Sequence, residues 1–390
     1  MSAKRRELRG ITWQHTRGFV PMVATAQRFS ELHPEVSIRW EMRSLQAFAD
    51  QPIEKLARDF DLLVIDHPFV GRGSRGDVLL PMDALLDAQF LEEQRTNAVG
   101  ASYESYVWAG QIWALPTDTA TPVSGARLDL LQRHGAEKPT NWSELMVLAM
   151  SGLVSLPAVP IDSLMNFYML CVALGEEPFS AEDTVVSQET GGRALAMLRE
   201  LVNACGAQCL KRNPIAVWEA MSSSDEAAYC PFAYGYSNYA REGYARFPID
   251  FGGLIRLDDG AALRSTLGGA GVAISKHTQN PSVAAAYAQF VASESVQCGI
   301  YFESGGQPGF RKAWTDAEIN RRSGTFFAKT LEVLDTAYLR PRFDGYLTFQ
   351  DEASEVVHEY LSRGGNERTA LEKMNRILAR AHRQAREVST

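Results

Sequence analysis

The order of strand-like and helix-like segments near the start of this 390-residue chain restricts its fold more than any other sequence feature. Strand patterns at residues 8–13, 36–42 and 61–66 are separated by helical spacing at 21–32 and 45–58. The apolar run of the third strand is typical of a buried parallel strand. This order predicts an α/β fold in which helices cover both faces of a parallel sheet.

The remainder of the chain predicts a second, more helical domain and a return to the first. A strand pattern at 111–118 leads into a segment rich in Pro and Thr at 116–122, which is typical of a crossing between domains. Helical patterns then dominate residues 126–222. A strand at 267–275 followed by a helix at 281–293 repeats the succession of strand and helix in the first 120 residues. We therefore expect a chain that leaves one domain, builds another and comes back.

The composition excludes several classes of protein. Asp and Glu outnumber Lys and Arg by 47 to 39, and the net charge of −8 argues against general nucleic-acid binding. The 45% of apolar residues suffices for a buried core, which excludes disorder. No run approaches the roughly 18 apolar residues of a membrane span. No secretion signal is predicted, because Glu7, Arg9 and Gly10 follow the basic start in place of an apolar stretch.

Motifs for cofactors, metals and catalytic nucleophiles do not occur in the sequence. A G-x-G-x-x-G pattern at residues 71–76 is followed by a proline where a dinucleotide-binding helix would run, so it predicts a flexible loop. No spacing of histidines or cysteines predicts a metal site, and we expect no cofactor. Of the five cysteines, Cys205 and Cys209 either form a disulfide or are two small apolar residues at a helix end.

Titratable side chains follow the first and third predicted strands. His15 comes after the first strand, and Asp66 and His67 follow the third. Because the carboxyl ends of parallel strands meet at one edge of a sheet, we expect these groups to lie near a ligand. They are suited to hydrogen bonds with hydroxyl or carboxylate groups, and the alternative is acid–base catalysis.

Two arginines, Arg17 and Arg43, also lie just past strand ends. A guanidinium pairs with a carboxylate through two parallel hydrogen bonds, so two such residues favour an acid-bearing ligand. The alternative interpretations are a pair of surface arginines and an ion pair with Asp66 or Asp118.

A cluster of aromatic residues follows the strand pattern at 227–233. Tyr234, Gly235, Tyr236 and Asn238 form a predicted loop in which hydroxyl groups and a close backbone approach suit a ligand. Packing in the core is the alternative role for these rings.

Several segments together resemble one protein family, and they occur in family order over nearly the whole chain. These segments are residues 29–38, 60–65, 79–83, 110–118, 139–144, 268–276 with 281–293, and 305–309. They are similar to the extracellular solute-binding proteins of ABC importers, family 1, the carbohydrate-type group similar to maltose-binding protein.

The resemblance implies a periplasmic-binding-protein-like type II fold, in which two α/β lobes surround a central ligand cleft and a multi-segment hinge joins them. The implied first lobe is residues 1–118 with about 263–310, the second is about 122–260 with about 314–390, and the hinge lies near 117–123, 258–266 and 308–314.

The implied function is that of the substrate-binding component of an ABC importer. Such a protein captures a small polar solute, here sugar-like or acidic, by hinge closure and without catalysis, and as a monomer it docks on the permease and ATPase subunits. It works in the periplasm or at the cell surface. The implied ligand contacts are Trp13, His15, Arg17, Arg43, Ser44, Asp66, His67, Asp118, Tyr234, Tyr236, Gly269 and Gln307. Because no secretion signal is predicted, the alternative is a cytoplasmic protein of the same fold that acts as a ligand sensor or as an enzyme on a carboxylate-bearing substrate.

Overall fold

The computed structural model describes residues 5–45, 47 and 51–387 of the chain. The chain separates into unit 1, which consists of Met1–Ala120 and Gly268–Arg321, and unit 2, which consists of Thr121–Leu267 and Arg322–Thr390. It therefore passes from one unit to the other after Ala120, after Leu267 and after Arg321.

The strands are β1 (Arg6–Trp13), β2 (Val36–Arg43), β3 (Leu62–Ile65), β4 (Leu79–Leu80), β5 (Val107–Trp108), β6 (Gln111–Ile112), β7 (Leu115–Ala120), β8 (Pro122–Ala126), β9 (Tyr229–Tyr234), β10 (Asp250–Gly252) and β11 (Gly268–Ser275). The helices are α1 (Thr16–Leu32), α2 (Ile53–Asp59), α3 (Val70–Gly73), α4 (Ala88–Asn97), α5 (Ser102–Ser105), α6 (Leu128–Arg133), α7 (Trp142–Met150), α8 (Pro160–Ala173), α9 (Gln188–Cys205), α10 (Pro214–Ser223), α11 (Pro281–Ala292), α12 (Glu294–Val296), α13 (Arg311–Thr315), α14 (Ala317–Arg322), α15 (Phe326–Asp335), α16 (Tyr346–Arg363) and α17 (Glu367–Glu387). Shorter turns of 3₁₀ or π helix cover His67–Phe69, Met82–Ala84, Ala207–Lys211, Ser237–Ala240 and Gln297–Tyr301.

Unit 1 contains the parallel sheet that the sequence predicts. Strand β1 pairs in parallel with β2 and with β3, and every residue of β3 is buried. The returning strand β11 lies antiparallel between β3 and β4 and also pairs with β7, so the strand order is β2-β1-β3-β11-β4. The late segment of the chain therefore completes the sheet that the first 65 residues begin.

Three predictions for unit 1 need comment. Helix α1 begins at Thr16 and not at residue 21, because the His15 side chain caps it. Residues 46 and 48–50 of the helix predicted at 45–58 lie outside the described residues. Residues 51–52 are not helical, so the prediction is wrong there, and a helix follows at Ile53–Asp59. The flexible loop predicted at 71–76 is wrong in its first half, since Val70–Gly73 form a helical turn that packs against Leu79.

Unit 2 is built mainly of helices around a small antiparallel sheet in the order β10-β8-β9. Helix α8 is its centre, because every residue from Asp162 to Ala173 is buried. A helix that is apolar on all faces belongs in a core. Helices α9, α16 and α17 contribute to the same core cluster.

Arg127 anchors the end of β8 within unit 2. Its side chain is 1% exposed, and it donates to the Asp129 carboxylate at 2.8 and 2.7 Å and to the carbonyl oxygens of Met221 and Ser224 at 2.7 and 2.8 Å. Its guanidinium carbon lies 3.8 Å from the centre of the Phe247 ring. Every one of these contacts depends on the planar fork of an arginine.

Candidate functional site

His15 links the end of β1 to the start of α1. Its backbone is extended, and its Nδ1 accepts a hydrogen bond of 3.0 Å from the backbone N–H of Arg17. An Nδ1 that accepts carries no proton, so the ring proton of the neutral side chain is on Nε2. Burial, and secondly the charge of Arg17, lower the pKa of His15 to about 3. His15 is therefore an uncharged hydrogen-bond donor at neutral pH.

Arg17 and Asp118 form a buried ion pair within unit 1. The Arg17 Nε donates to Asp118 Oδ2 at 2.8 Å, its Nη2 donates to Oδ1, and the two side chains are 4% and 1% exposed. Burial raises the pKa of Asp118, whereas Arg17 and the backbone N–H of Gln307 act in the opposite direction. The guanidinium carbon of Arg17 lies 5.9 Å from the centre of the Trp13 ring, which is itself buried. The ion pair with Asp118 is one of the alternatives weighed for Arg17, and contact of Arg17 with a ligand stays a prediction.

Gln307 and Gly269 hold the strand that carries Asp118. The Gln307 side chain is fully buried and donates to the Thr119 carbonyl at 2.7 Å, and the Gln307 carbonyl accepts from the Thr119 N–H at 3.1 Å. Gly269 has φ of +118°, and a Cβ there would overlap the Asp118 carbonyl oxygen and lie 2.8 Å from the Thr119 Cα. Both residues thus support the backbone around Asp118.

Arg43 and Ser44 lie at the end of β2, where Arg43 is opposite Trp13 in the register of the sheet. Arg43 is 7% exposed and donates to the carbonyl oxygens of Ala47 at 3.1 Å and Val64 at 3.4 Å. Burial lowers its pKa to about 10, so it is charged at neutral pH. Ser44 is exposed, and its Oγ accepts from the Ala47 N–H at 3.1 Å.

Asp66 and His67 follow β3. The Asp66 Oδ1 accepts from the His67 N–H at 2.8 Å and lies 3.1 Å from the His67 Nδ1, so it caps the short turn that begins there. The His67 ring is 1% exposed and meets the Tyr106 ring edge-on at 6.5 Å. Tyr106 in turn donates to the Ile65 carbonyl at 3.1 Å.

The two predicted tyrosines belong to unit 2. The Tyr234 hydroxyl lies 3.1 Å from the Thr266 Oγ1, and the Tyr234 carbonyl accepts from the Trp218 indole at 2.8 Å. Tyr236 is 5% exposed and packs edge-on against Tyr239 at 6.4 Å.

Within unit 1 the structure brings most of the predicted residues to the carboxyl ends of neighbouring strands, because β1, β2 and β3 run in the same direction. Sequence reasoning missed Tyr301, a buried residue whose pKa is raised by burial and by the charge of Asp118, with Arg17 acting in the opposite direction. A signal was present: Gly306 packs directly on the Tyr301 ring, and a glycine near an aromatic residue indicates such a close approach.

The described part of the chain holds no group of three or more His, Cys, Asp or Glu side chains arranged for a metal ion. Within residues 5–45, 47 and 51–387, every helix is too short or too polar to cross a membrane.

Comparisons with known proteins agree with this architecture. The family model for bacterial extracellular solute-binding proteins matches residues 24–324. Maltose-bound MalE3 of T. maritima superposes with a TM-score of 0.82 at 17% identity, covering 96% of this chain and 99% of its own. A solute-binding protein of Agrobacterium radiobacter K84 in complex with ribitol gives 0.82 at 15% identity, with 96% and 98% covered. A third, from Thermotoga lettingae TMO with α-D-tagatose, gives 0.80 at 16% identity, with 96% and 100% covered.

No curated protein matches the chain in sequence. The similarity to the solved structures confirms the predicted type II periplasmic-binding-protein fold.

Proposed function

The chain belongs to the bacterial extracellular solute-binding proteins, and on that premise we propose that it captures a small uncharged polyhydroxylated solute, a sugar or a polyol, for an ABC importer. Similar structures that hold maltose, ribitol and tagatose support this class of solute. The proposed contacts in unit 1 are the residues around the ends of its strands.

The ion pair between Arg17 and Asp118 is the observation that favours an uncharged solute. An acidic solute would have to compete with a carboxylate that already makes two hydrogen bonds to Arg17 in a buried setting. Removing a buried charge from its partner costs about 3–5 kcal/mol, so Arg17 is a poor receptor for a second carboxylate. His15 adds a neutral donor and no charge. Hydrogen bonding to hydroxyl groups is the chemistry these side chains support.

Arg43 is the group through which an acidic solute would bind instead. It is charged, and the partners described above are the carbonyl oxygens of Ala47 and Val64. A binding screen therefore needs both classes of solute, with uronic acids and small carboxylates beside neutral sugars and polyols.

Calorimetric titration and thermal unfolding with this panel test the proposal. A solute at about 100 times its Kd stabilises the folded protein by about 2.7 kcal/mol, which for a chain of 390 residues raises Tm by about 3 °C. We expect this rise with a neutral sugar or polyol, and the same affinity from about pH 5 to pH 8, because His15 stays uncharged throughout. A response to uronic acids or carboxylates alone would contradict the uncharged class.

The substitution His15→Asn tests the site itself. Asparagine preserves the helix cap but has no group in the place of the Nε2–H donor. We expect solute affinity to fall about tenfold or more, since a lost hydrogen bond leaves a solute oxygen unsatisfied. His33→Asn is the matched control, because His33 is exposed at the opposite end of α1. Equal affinities of the two variants would remove His15 from the site.

We also propose that the protein acts outside the cytoplasm, in the periplasm or at the cell surface, as a monomer that delivers its solute unchanged to permease and ATPase subunits. Mass spectrometry of the solute after prolonged incubation with the protein tests the absence of catalysis. An altered solute mass would favour the enzymatic alternative.

A further inference from the structure

Two cysteines of unit 2 form a thiol pair that takes no part in the proposed solute site. Cys205 is the last residue of α9, and Gly206, with φ of +90°, ends the helix. The following 3₁₀ turn brings Cys209 back, with its N–H bonded to the Gly206 carbonyl at 3.2 Å. As a result the two thiols lie close enough for each to shift the pKa of the other.

The surroundings of the two sulfur atoms are unequal. The Cys205 thiol, the Leu156 backbone N–H and the positive charge of Arg212 lie near the Cys209 sulfur. These groups lower the pKa of Cys209, whereas the neighbouring sulfur and burial raise that of Cys205. The two thiols therefore interact directly in the folded chain.

We propose that Cys205 and Cys209 are oxidised to an intramolecular disulfide when the chain folds outside the cytoplasm. The oxidant is a disulfide, either of a protein or of a small molecule such as glutathione. Disulfides persist in the extracellular compartments where this family works. The proposal does not rest on the identity of the solute.

The exchange balances in two steps. The thiolate of one of the two cysteines attacks one sulfur of the oxidant, which gives a mixed disulfide and releases one thiolate. The other cysteine then loses its proton and attacks the protein sulfur of the mixed disulfide, which releases the second thiol. Two electrons and two protons thus pass from the dithiol to the oxidant. Because Cys205 and Cys209 are 6% and 0% exposed, the exchange takes place before the end of α9 has packed, and the finished bond is shielded from reductants.

Cys230 is the competing partner, since it also lies near both sulfur atoms. It stands in a different strand, β9, whereas only three residues separate Cys205 from Cys209. The short separation and the turn at Gly206 favour the pair within one segment. Peptide mapping distinguishes the two linkages directly.

The experiment refolds the full chain from its reduced, denatured form in a buffer of reduced and oxidised glutathione. Free thiols are then blocked with N-ethylmaleimide in denaturant before tryptic digestion. Residues 200–211 form one tryptic peptide that contains both cysteines. We expect this peptide to be unblocked, with a mass two hydrogens below its reduced form, and to gain two blocking groups only after reduction.

Variants locate the bond. In Cys209→Ser the peptide should carry one blocking group, whereas Cys230→Ser, the matched control, should retain the linked peptide. A wild-type peptide with two blocking groups after oxidative refolding, or one joined to the peptide of Cys230, would overturn the proposal. The wild-type map is decisive by itself, so the result does not depend on the folding of any variant.

Discussion

The carboxyl group of Asp162 makes the stability of this protein depend on pH. Asp162 lies in the first turn of α8 and is 5% exposed, and its Oδ2 has no hydrogen-bond partner in the described part of the chain. Burial raises its pKa from the usual 3.8 to about 8. At neutral pH the folded protein therefore keeps a proton on Asp162 that the unfolded chain releases.

The size and sign of this effect follow from proton linkage. The stabilising contribution of the protonated form is complete below about pH 4 and is lost as the pH rises to about 8. Each pH unit in this window costs about 1.4 kcal/mol, so the whole window amounts to about 6 kcal/mol and the part up to pH 7 to about 4 kcal/mol. Asp162→Asn has a similar shape and cannot ionise, so it escapes this cost.

The assay is the free energy of unfolding in urea for the wild type and Asp162→Asn between about pH 5 and pH 8. We expect the free energy of unfolding of Asp162→Asn, relative to that of the wild type, to increase by about 1.4 kcal/mol for each unit that the pH rises. Glu189→Gln is the control, because it removes an exposed carboxylate from the first turn of α9 and should change stability by less than about 0.5 kcal/mol. A difference between wild type and Asp162→Asn that does not vary with pH would refute the reasoning.

Two further substitutions test the packing of each unit. Arg127→Lys should lower the free energy of unfolding by about 3 kcal/mol, because an ammonium cannot replace the bidentate bonds to Asp129 and the two carbonyl contacts. The control Arg133→Lys, at an exposed position, should lower it by less than about 1 kcal/mol in the same urea titration. Equal losses would contradict the role of the buried Arg127 guanidinium. Gly269→Ala should lower the free energy of unfolding by about 3 kcal/mol or more, and Tm with it, because its Cβ would meet backbone atoms at a positive φ. Gly76→Ala, where a Cβ meets nothing within 4 Å, should leave Tm nearly unchanged, and an unaffected Gly269→Ala would show that the strand can shift.

Local patterns predicted the elements of the fold well. The apolar run at residues 61–66 became the buried strand β3, and the pattern at 267–275 became β11. The start of α1 was missed, because its cap is a histidine, which is not one of the common capping residues. The helical turn at Val70–Gly73 was also missed, since its glycines predict a loop and only packing against Leu79 compensates for them.

For the candidate site, the sequence predicted positions and left the chemistry open. It placed Arg17 and Arg43 after strand ends, either as receptors for an acid or as surface or ion-paired arginines. The structure pairs Arg17 with Asp118, a residue 101 positions away, and turns Arg43 towards backbone carbonyl groups. Spacing along the chain contains no information on such pairing.

The sequence by itself determined the α/β class and the succession of strands and helices along the chain, because periodicity records which faces of each element are buried. The resemblance to the family came from short segments that occur in family order. The tertiary structure alone decided the chemical state of individual groups. It made His15 a neutral donor, kept a proton on Asp162 and raised the pKa of the Cys205 thiol next to Cys209. Burial and the proximity of distant residues set these states, and both arise only when the chain is folded.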